Sequence, residues 1–291
     1  MINLLRSKTE HRYDYREATV IEFFKMSGSG NDFILIDNRD CSLVVDDVVK
    51  FVKILCERKG SVGADGLIII ENSPDAHFRM RFFNADGSEA EMCGNGGRCA
   101  ARFAFIKGIA PEIMSFETKA GIIDATVTGS KVKLRLTDPH HQELHYELKT
   151  EGGSLRVNNI NTSVPHAVHF VNDLEHYDVL NRGRLIRYHE HYQPAGTNAN
   201  FVNIVDRNTI KVRTYERGVE DETLACGTGS VASALISALL GEVASPVDVL
   251  VQSGERLKIY FDNTESGFKN VYLEGGAKIV YQGFLWEEAY R

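Results

Sequence analysis

The chain has 291 residues, a formal net charge of -7, and 43% hydrophobic and 25% charged side chains. That length can bury one large core or two ordinary ones without disulfides, and two domains are expected. Interspersed charges of net negative sign exclude a phosphate-backbone ligand and hence nucleic acid, and the chain shows no apolar run of membrane-helix length.

The opening stretch, MINLLRSKTEHRYDYREAT, is polar and lacks the apolar segment of a secretory signal, so residues 1–19 read as an extension outside the fold. IEFFKM and FILID then read as strands around Gly28 to Asn31. DDVVKFVKILCERKG spaces its apolar residues as a helix does and stops near Gly60. GLIIIEN and FRMRFFN follow as strands, then a helix after Cys93, then DATVTGSKVKLRL with a hairpin turn at Gly129-Ser130. The second half repeats the plan, with HAVHF, NANFVNIVD and TIKVRTYER as strands, a helix after Cys226, and VDVLVQSGERLKIYF returning to strand.

Two short stretches carry the chemistry. EMCGNGGRCAARF, from Glu91, and ACGTGSVASALISALL, from Ala225, both run Cys-Gly-x-Gly into a helix. GSGNDF and AGTNANF repeat a second pattern, placing Asn31 and Asn198 before apolar strands. A tandem duplication about a pseudo-two-fold axis accounts for both and brings two equivalent helix starts together at a seam where small molecules bind. A helix start offers unpaired N–H groups and positive potential, so it suits a carboxylate. A thiol there is expected to ionise more readily, its pKa falling from about 8.5 toward about 7 or below. The glycines at 94, 96, 97, 227 and 229 leave backbone open to a ligand. Two such thiols facing one α-carbon can remove a proton from one side and return one to the other, which inverts the centre. No dinucleotide fingerprint, Walker loop or zinc spacing is present, so no cofactor or metal is expected. Cys41, Cys56 and Cys99 read as ordinary packing cysteines. Five cysteines at irregular spacing fit a reducing, cytoplasmic setting.

KMSGSGNDFILID, FFNADGSEAEMCGNGGRCAARF, VPHAV, GTNANFVNI and RTYERGVEDETLACGTGS, in that order, resemble the diaminopimelate epimerase family from about Val20 onward. The resemblance implies an α+β fold of two similar halves, each a curled mixed and antiparallel sheet around a central helix. It divides the chain into residues 20–137, completed by 277–291, and residues 138–276. It implies cofactor-independent interconversion of LL- and meso-2,6-diaminopimelate in lysine and peptidoglycan precursor synthesis, with a homodimer as candidate assembly. By position, Cys93 and Cys226 match the acid/base pair, and Gly94, Asn95, Gly227 and Thr228 match the donors to the reacting carboxylate. Asn31, Asn84 and Asn198 match pocket asparagines, and Glu216 and Arg217 match binding residues, with Arg217 facing the distal carboxylate. His166 and Glu216 match candidate catalytic support. Taken singly, the asparagines are ordinary turn residues and His166 an ordinary loop or packing residue.

Two departures stand out. Val164 replaces an asparagine of the family, leaving Thr162 and Ser163 as neighbouring hydroxyls, and Glu220-Asp221-Glu222 lengthens the loop before Cys226. If buried, those carboxylates would oppose thiolate formation. The proline and hydroxyproline racemase type is the nearest alternative, but its first cysteine motif carries histidine where this chain has Asn95. A thiol redox or carboxylate-binding protein is the alternative of another class.

Overall fold

The computed structural model describes residues 20–150 and 153–291. The extension assigned to residues 1–19 lies outside these. The first half runs β1 (Ile21–Gly28), β2 (Asn31–Asp37), α1 (Val48–Cys56), β3 (Gly66–Glu71), β4 (Phe78–Asn84), β5 (Glu89–Ala90), α2 (Gly94–Ile106), β6 (Ile113–Thr118), β7 (Gly121–Thr128) and β8 (Lys131–Arg135). After β9 (His140–Thr150) come β10 (Gly153–Asn161), β11 (Pro165–Phe170), α3 (Val179–Arg187), β12 (Asn198–Asp206), β13 (Thr209–Glu216) and β14 (Asp221–Thr223). The chain continues with α4 (Gly227–Leu239), β15 (Val247–Leu250), β16 (Arg256–Thr264), β17 (Gly267–Gly276) and β18 (Lys278–Leu285).

The duplication is complete at the level of strand pairing. β1 to β2 is antiparallel, β2 to β3 parallel, β3 to β4 antiparallel, β4 to β6 parallel, and β6 to β7 and β7 to β8 antiparallel. The series β10, β11, β12, β13, β15, β16, β17 repeats those senses in the same order. β5 on β4 matches β14 on β13, and the outermost additions, β18 on β1 and β9 on β10, are both antiparallel. The halves are joined by the antiparallel pairing of β8 with β17, in which Leu134 faces Leu273. The fold is thus α+β with two similar halves.

Each sheet is covered on both faces, which explains the continuous apolar runs of β2 and β3. α2 packs inside the first sheet with Phe24, Ile68, Phe78, Phe116 and Leu134, and α1 covers the other face with Ile34, Ile36, Leu67 and Ile69. α4 and α3 repeat this division in the second half, against Val202, Val249 and Leu273 on one side and Ala199, Phe201 and Tyr215 on the other. A helix enclosed by a curled sheet must be slim, and α2 and α4 are rich in alanine, glycine and serine. Burial on nearly all sides removes the amphipathic stripe of a surface helix.

The sequence did not reveal α3, the counterpart of α1. Only Val179, Gly183 and Ile186 of its nine residues are buried, and a glycine occupies its middle. The structure gives Gly183 a reason: a Cβ there would lie 2.3 Å from the Tyr215 Cβ. Gly183→Ala should therefore destabilise the protein by about 1–3 kcal/mol through overpacking, read as a lower urea midpoint with unchanged slope. An unchanged midpoint would show that α3 moves aside freely.

Candidate active site

Cys93 and Cys226 are each the N-cap of an inner helix, with extended backbone angles of -133°, 121° and -113°, 115°. An N-cap side chain normally offers oxygen to an orphan N–H of the first turn. Here sulfur takes that place: Gly96 N–H donates to Cys93 Sγ at 3.5 Å and Gly229 N–H to Cys226 Sγ at 3.4 Å. The capping geometry ties both sulfurs to the positive ends of their helices.

The two helices touch, and their starts meet through small groups. A Cβ on Gly227 would lie 3.9 Å from Asn95 Oδ1, whereas one on Gly94 would meet nothing within 4 Å. The backbone of Gly94 is thus open, as a carboxylate donor must be. Gly96, Gly97 and Gly229 serve a different purpose from the one expected. Cβ atoms there would lie 3.3 Å from Ile68, 3.0 Å from Met92 and 2.3 Å from Asn200 Oδ1, so these glycines let the protein's own side chains close in.

The expectation of easily ionised thiols is corrected by the structure. Burial pushes both thiols above the usual thiol range, with the Glu216 carboxyl adding to the rise at each. The Gly96 and Asn95 amides and the Arg98 cation oppose the rise at Cys93, as do the Thr228 hydroxyl and Gly229 amide at Cys226. A capped helix terminus lowers a thiol pKa only if its charge is not desolvated more strongly. Glu216 is itself held above the ordinary carboxyl range by burial, despite a 2.9 Å hydrogen bond from Thr223 Oγ1.

Most of the remaining candidates gather here. Asn95 Nδ2 donates to Asn31 Oδ1 at 2.7 Å, and Asn31 Nδ2 donates to Asp65 at 3.1 Å. The two-residue turn that delivers Asn31 has φ of 54° at Ser29 and 94° at Gly30, the primed hairpin geometry. Asn198 Oδ1 accepts Arg217 N–H at 2.8 Å, and His166 lies opposite Asn198 in the parallel β11 and β12 pair. Arg217 is half-buried, gives one N–H to Ala195 O at 3.1 Å, and has no carboxylate partner among the described residues. Asn84 is the exception: exposed, with its side chain turned to Ser88 Oγ at 3.1 Å, it is not joined to this cluster by any hydrogen bond among the described residues.

Residues 23–141 and 158–280 match the family model for diaminopimelate epimerase. The chain belongs to the diaminopimelate epimerase family. Its relatives include the diaminopimelate epimerases of Hydrogenobaculum sp. strain Y04AAS1, 50% identical over 91% of this chain and 99% of that one, and of Aquifex aeolicus, 50% identical over 92% and 99%. Among solved structures, a phenazine biosynthesis protein of the PhzF family from Bacillus anthracis shares the fold at a TM-score of 0.72 and 17% identity, covering 92% of this chain and 99% of its own. A hydroxyproline epimerase from Agrobacterium vitis shares it at 0.69 and 14%, covering 94% and 92%.

Both departures from the family pattern now have a structural account. Glu222 is held by Arg213 through two bonds of 2.7 Å, Glu220 by Arg187 at 2.9 and 3.0 Å, and Asp221 is exposed. Two of the three loop carboxylates are thus paired with arginines of α3 and β13, and Glu216 is the carboxylate that bears on Cys226. Beside Val164, Thr162 Oγ1 donates to Thr228 O at 3.0 Å, while Ser163 Oγ pairs with Thr137 Oγ1 at 2.6 Å. Thr162 therefore braces the second helix start, and Ser163 is turned to the strand end.

Sequence reasoning missed two buried residues. Arg98 is fully buried and donates to Asn95 Oδ1 at 2.9 Å, to Gly94 O and Gly276 O at 3.3 Å each, and to Ser29 Oγ. Asn200 is also fully buried and bonds to His166 and Thr214. The available signals were an arginine on the interior face of α2 and an asparagine two residues beyond Asn198, hence on the same strand face.

Because both thiols are pushed up, iodoacetamide should label exposed Cys41 well before Cys93 and Cys226 at neutral pH. The labelling rates of the latter two, read by peptide mapping, should keep rising beyond pH about 8.5, the midpoint of a free thiol. A midpoint near neutrality for either would contradict the dominance of burial.

Proposed function

We propose that Cys93 and Cys226 are the proton-transfer pair of a cofactor-independent epimerisation that interconverts LL- and meso-2,6-diaminopimelate. The observation that carries this reading is the capping of two equivalent, mutually facing helix starts by the two sulfurs. Family membership supports the substrate, and its amino-acid isomerase chemistry is what the site has to perform.

The N–H groups of Gly94, Asn95, Gly227 and Thr228 bind the reacting carboxylate and stabilise the charge that develops when the α-proton leaves. One sulfur, as thiolate, takes that proton, and the opposite thiol delivers its own to the other face. The carbon is inverted, and the charges on the two sulfurs are exchanged. Glu216, with its raised carboxyl pKa, accepts the proton that must first leave a thiol. Arg217 is the fork for the distal carboxylate. Asn31 and Asn198 orient the pocket. Asn84 lines its approach.

The chain folds as residues 20–137 closed by 277–291 and residues 138–276, acts in lysine and peptidoglycan precursor synthesis in the cytoplasm, and pairs as a homodimer. Five free cysteines accord with a reducing compartment, and no helix among the described residues is long and apolar enough to cross a membrane.

Incubation of reduced protein with LL-diaminopimelate in deuterated water should place deuterium at one α-carbon and yield the meso form. Exchange with proline instead would transfer the assignment to the proline racemase type. Cys93→Ser and Cys226→Ser should each cut turnover by at least about 100-fold, the lower end of the range for loss of a positioned acid or base; near-full activity in either would sink the two-base mechanism. A disulfide between the two should abolish turnover, and a reductant should restore it.

Arg217→Met should raise KM for diaminopimelate by at least about 10-fold, the loss of a charge-assisted bidentate pair. An unchanged KM would remove its assigned role.

A further inference from the structure

We infer that Asn200 is a positioning residue that holds His166 as the neutral tautomer protonated on Nε2, so that the imidazole meets the bound substrate as an N–H donor. The inference rests on the proposed epimerase reading for the substrate but on geometry alone for the tautomer.

Asn200 lies in β12, fully buried, with its side-chain Nδ2 3.1 Å from Ala167 O and 3.1 Å from His166 Nδ1. Its Oδ1 accepts from Thr214 Oγ1 at 3.0 Å. A backbone carbonyl can only accept, so the amide group facing Ala167 O must be the NH2. Flipping the amide would set two acceptors against each other. The second amide hydrogen therefore points at His166 Nδ1, which must accept it and carry no proton. A neutral ring then has its proton on Nε2.

The ring is kept neutral by its surroundings. His166 is 1% exposed, and burial, joined by the nearby Arg217 cation, depresses its pKa to about 3. Nε2 is buried without a hydrogen-bond partner among the described residues. A buried donor left unpaired is uncommon and calls for an explanation. His166 lies opposite Asn198, whose Oδ1 holds the Arg217 backbone, so the unpaired donor belongs to the strip assigned to substrate binding.

Asn200 also borders the second helix start. A Cβ on Gly229 would lie 2.3 Å from Asn200 Oδ1, and the N–H of that glycine holds Cys226 Sγ. One amide thus sets the imidazole and packs on the turn that carries the thiol. Its complement in the substrate is a lone-pair acceptor, such as a carboxylate oxygen. A base at this position would require the opposite tautomer.

The test is the nitrogen-15 NMR spectrum of the full chain, with His166 assigned by its loss in His166→Gln. Wild type should show a protonated Nε2 and a bare Nδ1 near neutral pH. In Asn200→Asp the new carboxylate can only accept, so the proton should move to Nδ1 or the ring become doubly protonated. Turnover should then fall about 10- to 100-fold, as for loss of a group that orients a site ligand. Thr214→Val, which leaves the Ala167 contact intact, should keep the wild-type tautomer. A wild-type ring protonated on Nδ1 overturns the inference even if Asn200→Asp fails to fold, and so does an Asn200→Asp protein with unchanged tautomer and turnover. Absence of deuterium exchange in wild type would strike the epimerase reading and leave the tautomer result intact.

Discussion

The pairing of β8 with β17 is the constraint on which the molecule depends. Each half alone is a sheet with an inner and an outer helix, and nothing within it directs the inner helix toward the other. The antiparallel ladder between Lys131–Arg135 and Tyr272–Gly276 fixes that relation. Its residues reach both helix starts: Cβ atoms on Gly97 and Gly227 would lie 3.2 Å from Leu134 and 3.4 Å from Leu273, which face each other across the ladder. Gly276 O also accepts from Arg98, which grips Gly94 and Asn95. A slip of register here would displace both caps at once.

The site is costly to assemble. A buried guanidinium is held by neutral acceptors among the described residues, a buried carboxyl is pushed toward protonation, and the Nε2 of a buried imidazole has no partner among them. An unpaired buried polar group alone costs about 1–3 kcal/mol. The surrounding cores bear that cost, since both inner helices are packed on nearly every side. Under the proposed reaction the arrangement is preorganised: its donors stand in place before any charge develops, so little reorganisation remains.

Local signals made much of this legible. The hairpin at Gly129-Ser130 joins β7 and β8 as read, NANFVNIVD is β12 from end to end, and the two Cys-Gly-x-Gly stretches do start the inner helices. β9 carried no alternation because nearly all of its residues are exposed, and α3 was hidden by its three-residue buried face. The thiol pKa was misread because a helix start is a local property, whereas burial depends on what packs above it. Asn200 was missed for a similar reason: its partners Ala167 and His166 reach it through a parallel pairing more than thirty residues away. Motif spacing locates the two capped helix starts; the side chains packed around them become visible only when distant strands meet.

The repeat of strand senses has a consequence for handedness. A protein built of L-residues cannot present mirror-image walls to a ligand. A two-fold rotation, however, exchanges the two sides of any plane that contains its axis. In the proposed reaction, two copies of one unit joined by the ladder between β8 and β17 therefore offer the same sulfur and the same backbone donors to both sides of a flattened carbon. Gene duplication supplies by rotation what reflection would require, and indifference between two mirror-related configurations becomes attainable in a molecule that has no mirror symmetry of its own.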